Sequence, residues 1–189
     1  MHQQRGVSLI EVLVTLVLIS IALLGSASLQ VLSKRANSEA AQRTIAAQLA
    51  NDLLARMRGN RGVLDQYIPA ASLGHATLGN APALDCADQA VTCTSDDVAA
   101  YELWQWEQQL DGAMELAGDT ATGGLIEPTA CLTGPVGGDA GVYEVAIAWR
   151  GGTEHPDPEI SDCGADSGLY GDNNEFRHVL LMRTFIDND

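Results

Sequence analysis

The stretch RGVSLIEVLVTLVLISIALLG, Arg5–Gly25, is apolar almost throughout, yet it holds one carboxylate, Glu11. From Val7 to Ser33 Glu11 is the only charged residue, and proline is absent. That run exceeds the roughly 20 apolar residues needed to cross a bilayer core. Arg5 precedes it and Lys34-Arg35 follow it, so flanking charge is nearly balanced and gives little guide to orientation. Beyond it, Leu29, Leu32, Ala36, Ala40, Ile45, Ala46, Leu49, Ala50, Leu53, Leu54 and Met57 recur at helical steps. No Gly or Pro interrupts Ser26–Arg58, and Gly59-Asn60-Arg61-Gly62 then ends the pattern. The expectation is one helix of about 52 residues, ~78 Å long. Its first half is apolar all round and its second half carries a single apolar stripe, so it serves as stem and then as spine.

The formal charge of −15 is unevenly placed. Residues 1–61 hold seven of the ten Lys/Arg against Glu11, Glu39 and Asp52, whereas residues 62–189 hold three Arg against 22 acids. The acidic part repels nucleic acid and anionic lipid, so no nucleic-acid partner is expected. A hydrophobic content of 46% excludes disorder as the overall description. Cys86, Cys93, Cys131 and Cys163 all lie in the acidic part. An even count beside an export-like segment points to two disulfides in an oxidising compartment, and the intervals lack the paired Cys-x-x-Cys of a zinc site.

A cleaved secretory signal ending near Gly25-Ser26-Ala27 is the ordinary alternative for the N-terminus. A carboxylate inside the apolar region and helical periodicity continuing past Ala27 both weigh against it. A buried, unpaired carboxylate at a helix centre costs about 2.5–3.5 kcal/mol. Glu11 has no Lys, Arg or His within a turn of its own helix, so it either snorkels to the head groups or meets a cation from a second chain.

These residues strongly resemble the class III signal of type IV pilins and pseudopilins, a short basic leader ending in Gly followed by an apolar helix with Glu fifth. The resemblance implies that a prepilin peptidase cuts between Gly6 and Val7 and methylates the new amine on Val7. Glu11 is then the fifth mature residue, and it pairs with the Val7 amine of a neighbouring subunit. Members usually have Phe where this chain has Val7. Residues 1–6 are thus a leader, 7–33 the membrane and filament-core half of the helix, 34–61 its amphipathic half, and 62–189 an acidic periplasmic head.

Within the head, Gly62–Ala83 reads as an irregular connector. Cys86 and Cys93 close a short loop. Thr94-Ser95-Asp96-Asp97 forms a capping-box-like start to a second helix reaching about Leu116, with Ala99, Leu103, Trp106, Leu110 and Met114 on one face. Three strand-like runs follow: Leu125–Leu132, Val142–Arg150 with Tyr143, Val145, Ile147 and Trp149 alternating, and His178–Ile186, whose nearly continuous apolar character suits a central or doubly covered strand. Gly151–Phe176 reads as an excursion held back by Cys163. The fold class expected is α+β and pilin-like: a long N-terminal helix packed on a small antiparallel sheet with a short second helix. The order of "DLLARMRGNR", "YELWQWEQQL", "YEVAIAWRG", "CG" and "FRHVLLMRTFI" resembles the minor-pilin family called type IV pilus modification protein PilV. The segment "DGAMELAGDTATGG" departs from that family's usual Leu-Pro-Gly-Gly-like turn. The preferred pairing is Cys86–Cys93 and Cys131–Cys163, while sequence order alone permits three connectivities.

No phosphate loop, catalytic triad order or zinc-binding helix pair is visible, so no catalytic residue, metal or cofactor is expected. "HPDPEISD" and "YGDNNE" cluster carboxylates, but neither matches a calcium-binding EF-hand loop. Trp106 reads as core and Trp104 as partly exposed. The functional expectation is a minor pilin that primes a type IV pilus and enters it at low abundance at the tip. It would meet other minor pilins and the major pilin through its N-terminal helix, and would sit in inner-membrane lipid before assembly. A minor pseudopilin of a type II secretion system, a tip adhesin or binding module, and a secreted enzyme are the competing readings.

Overall fold

The computed structural model describes residues 8–113, 116–117, 120–121 and 124–187. The chain forms two compact units, Met1–Ala40 and Ala41–Asp189. The helix α1, Leu9–Gly59, contributes to both; its 51 residues span about 77 Å. In the second unit its buried residues are Ala46, Leu49, Ala50, Leu53, Leu54 and Met57. That spacing is one stripe of a 3.6-residue helix.

The short helix α2, Ser95–Leu110, starts with the capping box expected from the sequence, in which the Thr94 hydroxyl accepts from the Asp97 N–H and the Asp97 carboxylate accepts from the Thr94 N–H. It buries Ala99, Leu103, Trp106 and Leu110. The Trp106 indole N–H donates to the Leu49 carbonyl at 2.9 Å, and Arg56 bridges Asp52 to Gln105, so α2 is keyed onto α1 at two points. The helix stops at Leu110, short of the expected Leu116. Gly112 takes a positive φ of 69° and Leu116–Ala117 (β1) pairs with Thr120–Ala121 (β2). Met114 lies outside the described residues.

Three longer strands form an antiparallel sheet in the order β3 (Thr129–Thr133), β4 (Gly141–Arg150), β5 (Arg177–Ile186). Tyr143, Val145, Ile147 and Trp149 of β4 join the core that contains the α1 and α2 stripes. Ala146 and Ala148, on the other face, are also buried. There the Gly151–Phe176 excursion folds back, with Cys163 Sγ 3.5 Å from the Ala146 carbonyl.

The expectation of a central or doubly covered strand at His178–Ile186 is corrected: β5 is an edge, and most of its apolar side chains are only half-buried. The centre is taken by β4, because both neighbours pair to it along their length.

Two charged groups missed by periodicity hold the irregular parts. Glu107 is fully buried, and its carboxylate accepts from the backbone N–H groups of Gly74, Thr77 and Leu78 at 2.8–2.9 Å. One turn on, Asp111 accepts from the N–H groups of His75 and Ala76 at 2.8 Å. Gly74, His75 and Ala76 all have positive φ, which turns successive N–H groups toward the two carboxylates. Gly74 is obligatory there, since a Cβ would lie 2.4 Å from the Pro128 carbonyl oxygen. The connector is irregular, as expected, but anchored: Leu64, Tyr67 and Leu73 are buried, and Leu73 bridges Ala130.

Arg177, 1% exposed, donates to the Asp157 carboxylate at 2.7 Å and to the carbonyls of Ser161, Cys163 and Pro158. The Arg177 hydrogen bond holds the Asp157 carboxyl below its usual range. A lowered folded-state value means stability that is present above about pH 4 and lost as pH falls through the folded value. Thermal unfolding of Asp157→Asn should therefore fall below that of the parent chain at pH 6, with the gap narrowing as pH is lowered below about 4. An unchanged gap across that range would contradict this.

Disulfides join Cys86 to Cys93 and Cys131 to Cys163, at sequence separations of 7 and 32. Loop entropy gives about 2.5 kcal/mol for the first and about 4 kcal/mol for the second. Paired Ser substitutions should lower the denaturant midpoint more for the Cys131–Cys163 bridge; the reverse order would refute the loop-closure account.

Candidate assembly surface

Between Leu9 and Leu32 every residue of α1 is exposed, including Leu9 at 81%, Ile10 at 70%, Leu24 at 70% and Leu29 at 69%. Exposed apolar area on this scale is incompatible with free solution and marks a membrane or protein contact. Among the described residues α1 is the one helix long and apolar enough to cross a membrane. Its hydroxyls suit that medium. Thr15 donates to the Val12 carbonyl at 2.8 Å, Ser20 to Leu16 at 2.8 Å and Ser28 to Leu24 at 3.1 Å, so none needs a water partner.

Glu11 is exposed in the first turn of this helix. The N–H groups of Glu11 and Val12 both reach the Ser8 carbonyl, at 3.0 and 3.3 Å. Ser8-Leu9-Ile10-Glu11 thus has the residue types of a capping box, and a carboxylate here also meets the positive end of the helix dipole. That local benefit is about 0.3–1 kcal/mol, less than the cost of an unpaired charge in lipid. A local role alone would be filled as well by a polar residue. Gly6 and Val7 lie outside the described residues.

The other site residues named from sequence fall in the second unit. Cys86 and Cys93 flank the exposed loop before α2, while Cys131 on β3 meets Cys163 in the excursion. Of the acidic clusters, Asp157 is bound by Arg177 and Asn174, and Glu175 accepts from the Asn173 N–H. No group of three or more His, Cys, Asp or Glu among the described residues is placed to hold a metal ion. Trp106 is core, and Trp104 is half-buried with its indole N–H on the Gly79 carbonyl. Glu107 and Arg177 carried no signal in the sequence: Glu107 stands among Glu102, Gln105, Gln108 and Gln109, and Arg177 between Glu175 and His178.

The family described as type IV pilin Tt1218 matches residues 28–104, and the prokaryotic N-terminal methylation motif matches residues 1–27. No curated protein and no solved structure matches the chain. The two family matches abut, so the methylation motif runs directly into a pilin-like segment that takes in the rest of α1 and the first part of α2, with the three-stranded antiparallel sheet following it in the chain. The chain thus carries the prokaryotic N-terminal methylation motif, followed by a segment similar to the type IV pilin Tt1218 family, on a pilin-like α+β fold.

Proposed function

We propose that this pilin is a minor subunit, of the PilV kind, that primes a type IV pilus from the inner membrane and enters it at low abundance at the tip. The observation that carries the reading is Glu11: one carboxylate, one turn into a helix that is otherwise apolar and exposed along its whole first half. In this reading a prepilin peptidase cuts after Gly6, freeing and methylating the amine of Val7. The chain waits in lipid as a single-pass protein with residues 62–189 in the periplasm. On assembly, the Val7 ammonium of one subunit neutralises Glu11 of the next.

Bundled helices exclude water, so the pair is strong where the register is correct. A subunit out of step leaves a buried charge uncompensated, at several kcal/mol. The two disulfides support an oxidising location for the head. The contacts are helix bundling with other minor pilins and the major pilin, plus contacts between heads.

Deletion of the chain in its host tests the reading. Loss of surface pili and twitching, restored by the intact gene, is the expected result. Loss of exoprotein release with pili intact would instead assign the chain to a type II secretion system.

A further inference from the structure

We infer that the open edge of β5 is a docking strip for an acidic extended segment of a different pilin head; this names a partner for the proposed function and rests on it. Three observations lead there. First, β5 is ten residues long and pairs on one side only, with β4; among the described residues no other strand or bridge meets its outer edge. Long apolar edges are aggregation-prone, and folded proteins cover, shorten or bulge them. Here the strand has the composition of a doubly covered one, yet Val179, Leu180, Leu181 and Met182 are only half-buried.

Second, apolar exposure concentrates at one end of the strip. Phe185 is 63% exposed and its cross-strand partner Val142 is 57% exposed. Third, guanidiniums reach the strip on a head in which residues 62–189 hold three Arg against 22 acids, with Glu144 across the strands and Asp187 just past β5 as the acids beside them. Of the three Arg beyond Gly62, Arg177 is buried, Arg150 is half-buried, and Arg183 alone is exposed, at 62%. It lies on β5, pairing across the strands with Glu144 while keeping an exposed face. Arg58 at the end of α1 adds a second guanidinium, donating to the Thr184 hydroxyl.

An apolar strip rimmed by guanidiniums, on a head of otherwise acidic surface, fits an extended segment with alternating apolar side chains and flanking carboxylates. Backbone pairing to the free edge supplies affinity, and Arg58 and Arg183 select for acids. A second copy in symmetric edge-to-edge pairing would bring like guanidinium rims onto one sheet, which disfavours it.

The test uses the full chain in its piliated host, with the photo-crosslinker benzoylphenylalanine at Phe185 and, as a control, at Ile160, which is 55% exposed elsewhere on the head. Crosslinked peptides are sequenced by mass spectrometry. The expected adduct is specific to Phe185 and lies in an acid-rich segment of another chain that carries the methylation motif. Its yield should drop about tenfold in Arg58→Glu/Arg183→Glu, a change worth about 1.4 kcal/mol. Arg58→Gln/Arg183→Gln should drop less, and covers the case in which the Glu variant does not fold. Adducts equal at Phe185 and Ile160, adducts to this chain itself or to a non-pilin protein, or a yield indifferent to both variants would overturn the inference. A chain that is processed and present in sheared pili yet gives no pilin adduct overturns this inference alone. A chain absent from pili overturns the assembly reading, and this inference with it.

Discussion

Changing Glu11 to leucine is expected to leave the chain cleaved and inserted in the membrane but to remove it from filaments. Leucine is more apolar than the carboxylate it replaces, so insertion becomes easier. What is lost, in the proposed assembly, is the counter-charge for the Val7 ammonium of the neighbour. Breaking a buried pair by removing one partner costs about 3–5 kcal/mol, and 3 kcal/mol is on the order of a hundredfold in incorporation. Immunoblots of membranes and of sheared pili read the two quantities separately. Glu11→Gln separates charge from helix capping, because glutamine serves the capping box as glutamate does. A local capping role predicts normal incorporation of the Gln variant; the inter-subunit pair predicts a defect close to that of leucine. Leucine-variant chains found in pili at the parental level would refute the pairing.

Glu107→Ala should be the most damaging single substitution in the head. It orphans three backbone N–H groups, the buried one of Gly74 and the part-buried ones of Thr77 and Leu78, around a carboxylate that is itself fully buried. Each buried unsatisfied donor costs about 1–3 kcal/mol, and allowing for partial relaxation of the 74–78 loop the loss is about 3–5 kcal/mol. A domain of this size has about 5–15 kcal/mol in total, so the variant sits near its folding threshold. The midpoint of thermal unfolding, followed by near-ultraviolet circular dichroism of the detergent-solubilised chain, should fall by roughly 10 °C. Glu107→Gln keeps one acceptor oxygen and should lose less. A midpoint within 2 °C of the parent for the Ala variant would show that the loop is held by something other than this carboxylate.

What could be read from sequence followed from periodicity and local chemistry. The α1 stripe from Ala46 to Met57, the Thr94 capping box and the alternation of Tyr143, Val145, Ile147 and Trp149 are all short-range patterns, and each is found where it was expected. The edge position of β5 was not legible, because an apolar run states that a strand meets apolar surface but not which strand lies beside it. The anchoring of the irregular 62–83 segment was not legible for a related reason. Its backbone groups are satisfied by Glu107 and Asp111, which lie about thirty residues away and look in sequence like solvated helix acids. The end of α2 was overestimated because Leu116 continues the helical spacing past Gly112, whose positive φ ends the helix.

Of the candidate site, Glu11 stands out in the sequence as a single charge in an apolar helix, and the structure places it, exposed, in the first turn of α1. The Arg58 and Arg183 rim was not legible, since it joins the end of α1 to a strand more than a hundred residues on.

The account depends on the N-terminus becoming a free ammonium at the tip of the retained helix. Mass analysis of the chain extracted from membranes and from sheared pili tests this directly. The expected N-terminal peptide begins at N-methylated Val7, so that loss of the first six of 189 residues leaves 183. A mature chain that begins at Ser28, or one that still carries residues 1–6, would contradict it.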